Sequence, residues 1–256
     1  MLSQHPYIVK KKRSMTTNEI LGDTIPRMYD RPLVWPVGRS SGIAYVDGVF
    51  SEKFCSNIIS FCEENKDLSF QGKTMGGIKL DTKVSYDWYL EQTSGVPQNK
   101  SQEFDKRVFD KLWEVLNLYK NVTPQLSNST NGSVCMTNDT GYQIQKYPKN
   151  IGFYNEHIDG APWTGIPARR TLGVIVYLNT IVDGGGTGFP AHDLIIDAVA
   201  GRVAVFPASW THPHSGLMPL SDDKWIISTF VESMGSNAQQ CGPQCDHHHD
   251  LEATNS

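Results

Sequence analysis

From Gly132 onward the chain is a succession of short apolar runs separated by glycine, proline and aspartate turns, a pattern that restricts this half to β structure. Residues 141–147 alternate polar and apolar side chains, as a strand covered on one face does. Residues 171–178 are almost continuously apolar, as in a strand covered on both faces. Further strands are predicted at Leu194–Ile196, 202–206 and 225–231. Two helices precede them. Ser51 has the chemistry of an N-cap, and Phe54, Ile58, Ile59, Phe61 and Cys62 recur behind it at helical spacing. Over residues 101–119, Phe104, Val108, Leu112, Val115 and Tyr119 trace one apolar stripe, with Phe109, Trp113 and Leu116 beside it. Helices first, then many short strands, predicts a β-rich α+β fold: a sandwich or jelly roll buttressed by N-terminal helices.

A chain of 256 residues suffices for one sizeable domain with extensions. Residues 1–40 carry charges, Pro26, Pro32 and Pro36 with little periodicity, and read as an arm; 41–235 form the domain; 236–256 read as a disordered tail. A net charge of −4 gives no global argument for nucleic acid or an anionic membrane as partner, and no apolar run reaches membrane-spanning length. Five scattered cysteines and no apolar leader after the basic run at 10–13 point to a reducing, cytoplasmic setting. The sequons at Asn121, Asn128, Asn131 and Asn138 then read as turn chemistry. Oligomeric state is not legible.

Within the β half stand His157 and Asp159, followed 55 residues after the aspartate by His214 and ten residues later by Lys224. Strand side chains alternate, so residues 157 and 159 share a face and can reach one metal ion. His212 and His214 both offer a third donor. His214 is preferred because it lies ten residues before Lys224, with Gly216 beside it. Two imidazoles and a carboxylate form the facial arrangement of non-haem iron(II) oxygenases, which leaves positions open for a cosubstrate and dioxygen. Lys224, opening an apolar strand, supplies a cation for the far end of a dicarboxylate.

Other features carry less. The glycine run 184–188 precedes Phe189 and Pro190 rather than a helix, so it reads as a β-turn and not a phosphate loop. The Cys241, Cys245 and His247–His249 cluster sits in the tail and lacks a second ligand pair. His192 has no assigned role, and Cys55, Cys62 and Cys135 read as core. Residues 72–95, with Tyr86, Trp88 and Tyr89, suit either a loop over the site or an ordinary hairpin, and Trp88 and Tyr89 could shape a peptide groove if it closes.

The segments around Tyr147, residues 153–160, 170–179, 183–190, 201–207 and 214–225 together resemble the prolyl 4-hydroxylase-like branch of the 2-oxoglutarate- and Fe(II)-dependent dioxygenases, over about residues 43–232. The resemblance implies a double-stranded β-helix. His157, Asp159 and His214 match its iron ligands and catalytic centre, Lys224 the lysine that pairs with 2-oxoglutarate, and Tyr147, offset by one residue, a tyrosine that helps hold that carboxylate. Arg170 matches a residue that holds the substrate's peptide backbone, and Phe230 stands where those enzymes carry tryptophan. The implied reaction is hydroxylation of a C–H bond, foremost that of prolyl residues in a proline-containing peptide or protein. It consumes Fe(II)-bound 2-oxoglutarate and O2, with ascorbate as candidate reductant, and yields succinate and CO2. The same chemistry on a free amino acid or other small molecule, or a non-catalytic binding module, are the alternatives.

Overall fold

Strand alternation sorts the apolar residues into two layers of core, one between sheet and helices and one between two sheets. The computed structural model describes residues 32–74, 76–90, 98–123, 139–160 and 170–232. Its strands are β1 (Ala44–Val46), β2 (Phe70–Gln71), β3 (Lys83–Val84), β4 (Tyr86–Tyr89), β5 (Gln143–Tyr147), β6 (Phe153–His157), β7 (Arg170–Tyr177), β8 (Thr187–Phe189), β9 (Leu194–Ile196), β10 (Val203–Pro207), β11 (His214–Gly216) and β12 (Lys224–Glu232). The helices are α1 (Glu52–Glu64) and α2 (Gln98–Asn121). A seven-stranded sheet runs β1-β10-β7-β12-β5-β4-β2, and a five-stranded sheet runs β3-β6-β11-β8-β9. All pairings are antiparallel, and chain-distant strands such as β7 and β12 are neighbours, as a jelly roll requires.

The helices cover the outer face of the larger sheet. Ser51 Oγ accepts a hydrogen bond from Phe54 N at 3.1 Å, so the predicted N-cap is in place. Phe54, Phe61 and Phe104 meet edge to face and join α1 to α2. Ile144, Val174, Val176 and Ile227 rise from the sheet into the same cluster. Trp88 belongs there too, stacked on Trp225 with centroids 5.4 Å apart. The second cluster, including Ile175, Phe189, Phe206 and Ile226, lies between the sheets.

Helix α2 is longer than the stripe at 101–119 predicts, since its ends carry polar residues that periodicity does not register. The glycine run makes a turn, with Gly184 and Gly185 at φ of 69° and 70°. Residues 1–31 of the expected arm, the expected tail, Cys135 and the Cys/His cluster lie outside the described residues, as do Asn128, Asn131 and Asn138. Of the arm, Trp35 stacks on Tyr119 with centroids 5.6 Å apart. No helix among the described residues is long and apolar enough to cross a membrane.

Because Phe104 joins both helices to the sheet, Phe104→Ala is expected to cost about 3–5 kcal/mol of unfolding free energy in denaturant titration. A loss below about 1 kcal/mol would show that the helical layer can collapse around the gap.

Candidate active site

Strand β6 ends at His157 and β11 begins at His214, and these residues are direct antiparallel partners. Asp159 follows β6 by two residues, and Gly160 N donates to Ala208 O at 2.7 Å, which fixes the backbone just beyond it. Asp159 Oδ1 lies 3.5 Å from His157 Nε2, and Asp159 Oδ2 lies 3.3 Å from His214 Nε2. Donors on a metal with bonds of about 2.1 Å at right angles stand about 3.0 Å apart, so the spacing suits one ion. Gly173 on β7 leaves room for this arrangement. A Cβ there would stand 3.1 Å from Asp159 Oδ2 and 2.6 Å from the Phe206 ring.

The protonation states fit the same group. His157 Nδ1 lies 2.9 Å from Asn155 O and His214 Nδ1 lies 3.1 Å from His212 O. A carbonyl only accepts, so both Nδ1 atoms carry a proton and both Nε2 atoms face Asp159. Burial pushes His214 below the ordinary histidine value, which keeps its imidazole neutral. Burial opposes ionisation of Asp159, but His214, His157 and Arg170 outweigh it and hold the carboxyl below its ordinary value. Two imidazoles, each with Nε2 turned inward, and a carboxylate therefore converge on one point. A divalent cation is the group that reconciles them, and among the described residues these alone form such a cluster. His212 turns away, with Nε2 2.6 Å from Ser41 O, and stacks on His192.

The triad faces a cavity of about 310 Å³ between the sheets. Lys224, 1% exposed, is the first residue of β12, and its side chain lines the same cavity. Asn179 accepts from Trp225 N and donates to Asp223 O, both at 2.8 Å, and so clamps the backbone on either side of it. Among the described residues Nζ has no carboxylate partner; it lies 3.5 Å from Leu217 O and 4.7 Å from the Tyr147 ring centroid. Burial pushes the Lys224 ammonium down to about 7. Tyr147, opposite Lys224 in the β5–β12 ladder, donates to Gln145 Oε1 at 2.7 Å. A buried cation without an anion is costly, and the cavity offers space for the missing carboxylate.

Arg170 is half-buried beside the triad. Its Nη1 donates to Asp159 O at 3.2 Å, and its guanidinium lies 3.7 Å over the Phe230 ring. Strand alternation on β4 separates the two aromatic residues of the expected groove: Tyr89 lines the cavity, while Trp88 is buried under the helices. Trp88 therefore does not shape a groove. Also lining the cavity are residues that sequence reasoning missed, namely Lys83, Gln143, Gln145 and Thr187. Gln143 and Gln145 alternate on β5 with Tyr147, a signal that periodicity carried but chemistry did not single out.

Residues 142–232 match the model of the 2OG-Fe(II) oxygenase superfamily. A prolyl hydroxylase from Trichoplax adhaerens, solved with a hypoxia inducible factor oxygen degradation domain peptide fragment, is similar in structure. It has 16% identity and a TM-score of 0.60, over 76% of this chain and 84% of that one. A viral collagen prolyl hydroxylase from Paramecium Bursaria Chlorella virus-1, solved with 2OG, has 19% identity and a TM-score of 0.54, over 77% and 98%. A prolyl-4-hydroxylase from Pseudomonas putida has 16% identity and a TM-score of 0.55, over 76% and 94%. At these identities the likeness is one of fold, the double-stranded β-helix. Comparison with curated proteins finds no match. Residues 142–232, the part of the chain that matches the superfamily model, carry both histidines, Asp159 and Lys224.

Proposed function

We propose that the protein hydroxylates prolyl residues of a peptide or protein, with Fe(II) held by His157, Asp159 and His214. The observation that carries the reading is the buried Lys224 ammonium in the wall of the triad's own cavity. When bound, the iron supplies activation of dioxygen coupled to decarboxylation of 2-oxoglutarate to succinate and CO2. The chain's residues do the rest. Lys224 gives a charge-assisted hydrogen bond to the distal carboxylate, and the Tyr147 ring packs against its Nζ. Ile175, Ile226 and Phe206 wall the cavity with apolar surface and exclude water from the reacting carbon. Arg170, at the cavity wall beside Asp159 and Phe230, is the residue for the substrate's backbone carbonyl. The prolyl assignment draws on the three structural neighbours, all named as prolyl hydroxylases. A cytoplasmic setting, with ascorbate as reductant, is part of the same reading.

Incubation of proline-rich peptides with Fe(II), 2-oxoglutarate and ascorbate is expected to add about 16 Da to proline, one inserted oxygen atom, with stoichiometric succinate. His157→Ala is expected to abolish both products. Turnover of free proline but not peptides would move the substrate to small molecules, and no succinate above the His157→Ala background would leave a binding module.

The low Lys224 pKa gives a second expectation. A lysine depressed from 10.5 to about 7 on folding destabilises the fold wherever it is charged in the native state, which is below about 7. Between about 7 and 10.5 the unfolded chain retains a proton that the native state releases, so stability of the ligand-free protein rises with pH over that window. Lys224→Met is therefore expected to raise its melting temperature at pH 7 by about 3–10 °C, while abolishing cosubstrate binding. Binding of 2-oxoglutarate needs the ammonium form, so affinity measured by titration calorimetry should fall about tenfold per unit above pH 7. In Lys224→Arg, whose charge is permanent, that fall should vanish. An unchanged melting temperature in Lys224→Met, or the same pH profile in Lys224→Arg, would contradict the assignment.

A further inference from the structure

Lys83 and Asp87 form an ion pair that the reaction as described does not use. Both are buried, at 2% and 0% side-chain exposure, with Lys83 Nζ 3.0 Å from Asp87 Oδ2. Ser85 Oγ donates to Asp87 Oδ1 at 2.7 Å and Gln143 Nε2 to Asp87 Oδ2 at 3.2 Å. Burial pushes the Asp87 carboxyl above its ordinary value, against the pull of Lys83 and Ser85. The chain is built tightly around the pair: a Cβ on Gly72 would stand 2.1 Å from Ser85 Oγ and 3.1 Å from Lys83 Cε. Two charges taken out of water rarely stabilise a fold more than apolar residues of equal volume would, so stability does not account for the pair.

Its geometry leads to the triad. Lys83 is the cross-strand partner of Tyr154 in the β3–β6 ladder, and its Nζ lies 5.3 Å from the Tyr154 ring centroid. The Tyr154 ring in turn lies flat on His157, with centroids 3.6 Å apart and planes 17° from parallel. His157 is the most exposed of the three donors, its side chain 18% accessible against 7% for Asp159 and 6% for His214. The Nδ1 bond to Asn155 O holds one edge of the imidazole and leaves room for the ring to tilt at its Nε2 edge. A flat aromatic neighbour removes this freedom.

We propose that the Lys83–Asp87 pair is a positioning device for His157: the ammonium draws the Tyr154 ring into place, and that ring sets the plane of the imidazole. Lys83 and Asp87 thereby tune the affinity of the triad for its metal, which rests on the reading of His157 as a ligand. Groups that orient a metal-bound histidine are typically worth ten- to a hundredfold in metal affinity.

The test is anaerobic titration of Fe(II) into the full chain, followed by calorimetry, with the melting temperature of each ligand-free variant. Lys83→Met alone strands a buried carboxylate, so the variant used is Lys83→Met/Asp87→Leu, which removes both charges. It is expected to bind Fe(II) about ten- to a hundredfold more weakly while melting no lower than the wild type. Tyr154→Leu is expected to weaken binding by at least as much, and the triple variant to bind as Tyr154→Leu does, because the pair acts through that ring. Affinity within twofold of wild type in Lys83→Met/Asp87→Leu, with binding lost in His157→Ala, overturns this inference alone. Losses that multiply in the triple variant also overturn it. Fe(II) binding unchanged in His157→Ala overturns the ligand reading beneath it.

Discussion

The pairing of β6 with β11 sets His157 directly across from His214, and every other part of the site is arranged around that register. A slip of one residue would turn one imidazole to the opposite face of the sheet. The pairing joins segments far apart in the chain, so it exists only once the smaller sheet has assembled. Gly160 then ties the end of β6 to Ala208, and Asp159 closes the triangle. The helices contribute no donor. They bury the outer face of the larger sheet and so hold β5, β7 and β12, whose inner faces make the cavity floor.

The site stores two electrostatic deficits, and the proposed metal and cosubstrate would resolve both. The triad is a set of acceptors without a cation, and Lys224 is a buried cation without an anion. Iron and the distal carboxylate of 2-oxoglutarate are complementary to these. An enzyme of this kind trades stability of its empty form for preorganisation, since neither group has to move far or shed water when its partner arrives.

The parts legible in the sequence were those whose chemistry restricts residue type. Only a few side chains ligate iron, so His157, Asp159 and His214 stood out at a spacing that strand alternation explains, and Lys224 opened an apolar strand where a charge is otherwise out of place. The strand pattern and the Ser51 cap were legible for the same reason, because burial and orphan amides constrain them locally. What depended on the faces of short strands was not. Trp88 and Tyr89 are adjacent in sequence, yet one enters the helical core and the other the cavity. Lys83 and Asp87 sit in a polar stretch that reads as surface, and only the closing of β3 on β6 and β4 on β5 buries them. Arg170 carried a role by resemblance alone, and its contacts with Asp159 and Phe230 come from the fold.

The central claim, that the two histidines and Asp159 grip one divalent ion while Lys224 receives the cosubstrate, is tested most directly by a crystal structure with Mn(II) and 2-oxoglutarate. The account predicts metal bonds of about 2.2 Å to His157 Nε2, an Asp159 carboxylate oxygen and His214 Nε2, with a carboxylate at Lys224 Nζ. A metal held by other side chains, or a bound 2-oxoglutarate that leaves the Lys224 ammonium without an anion, would contradict it.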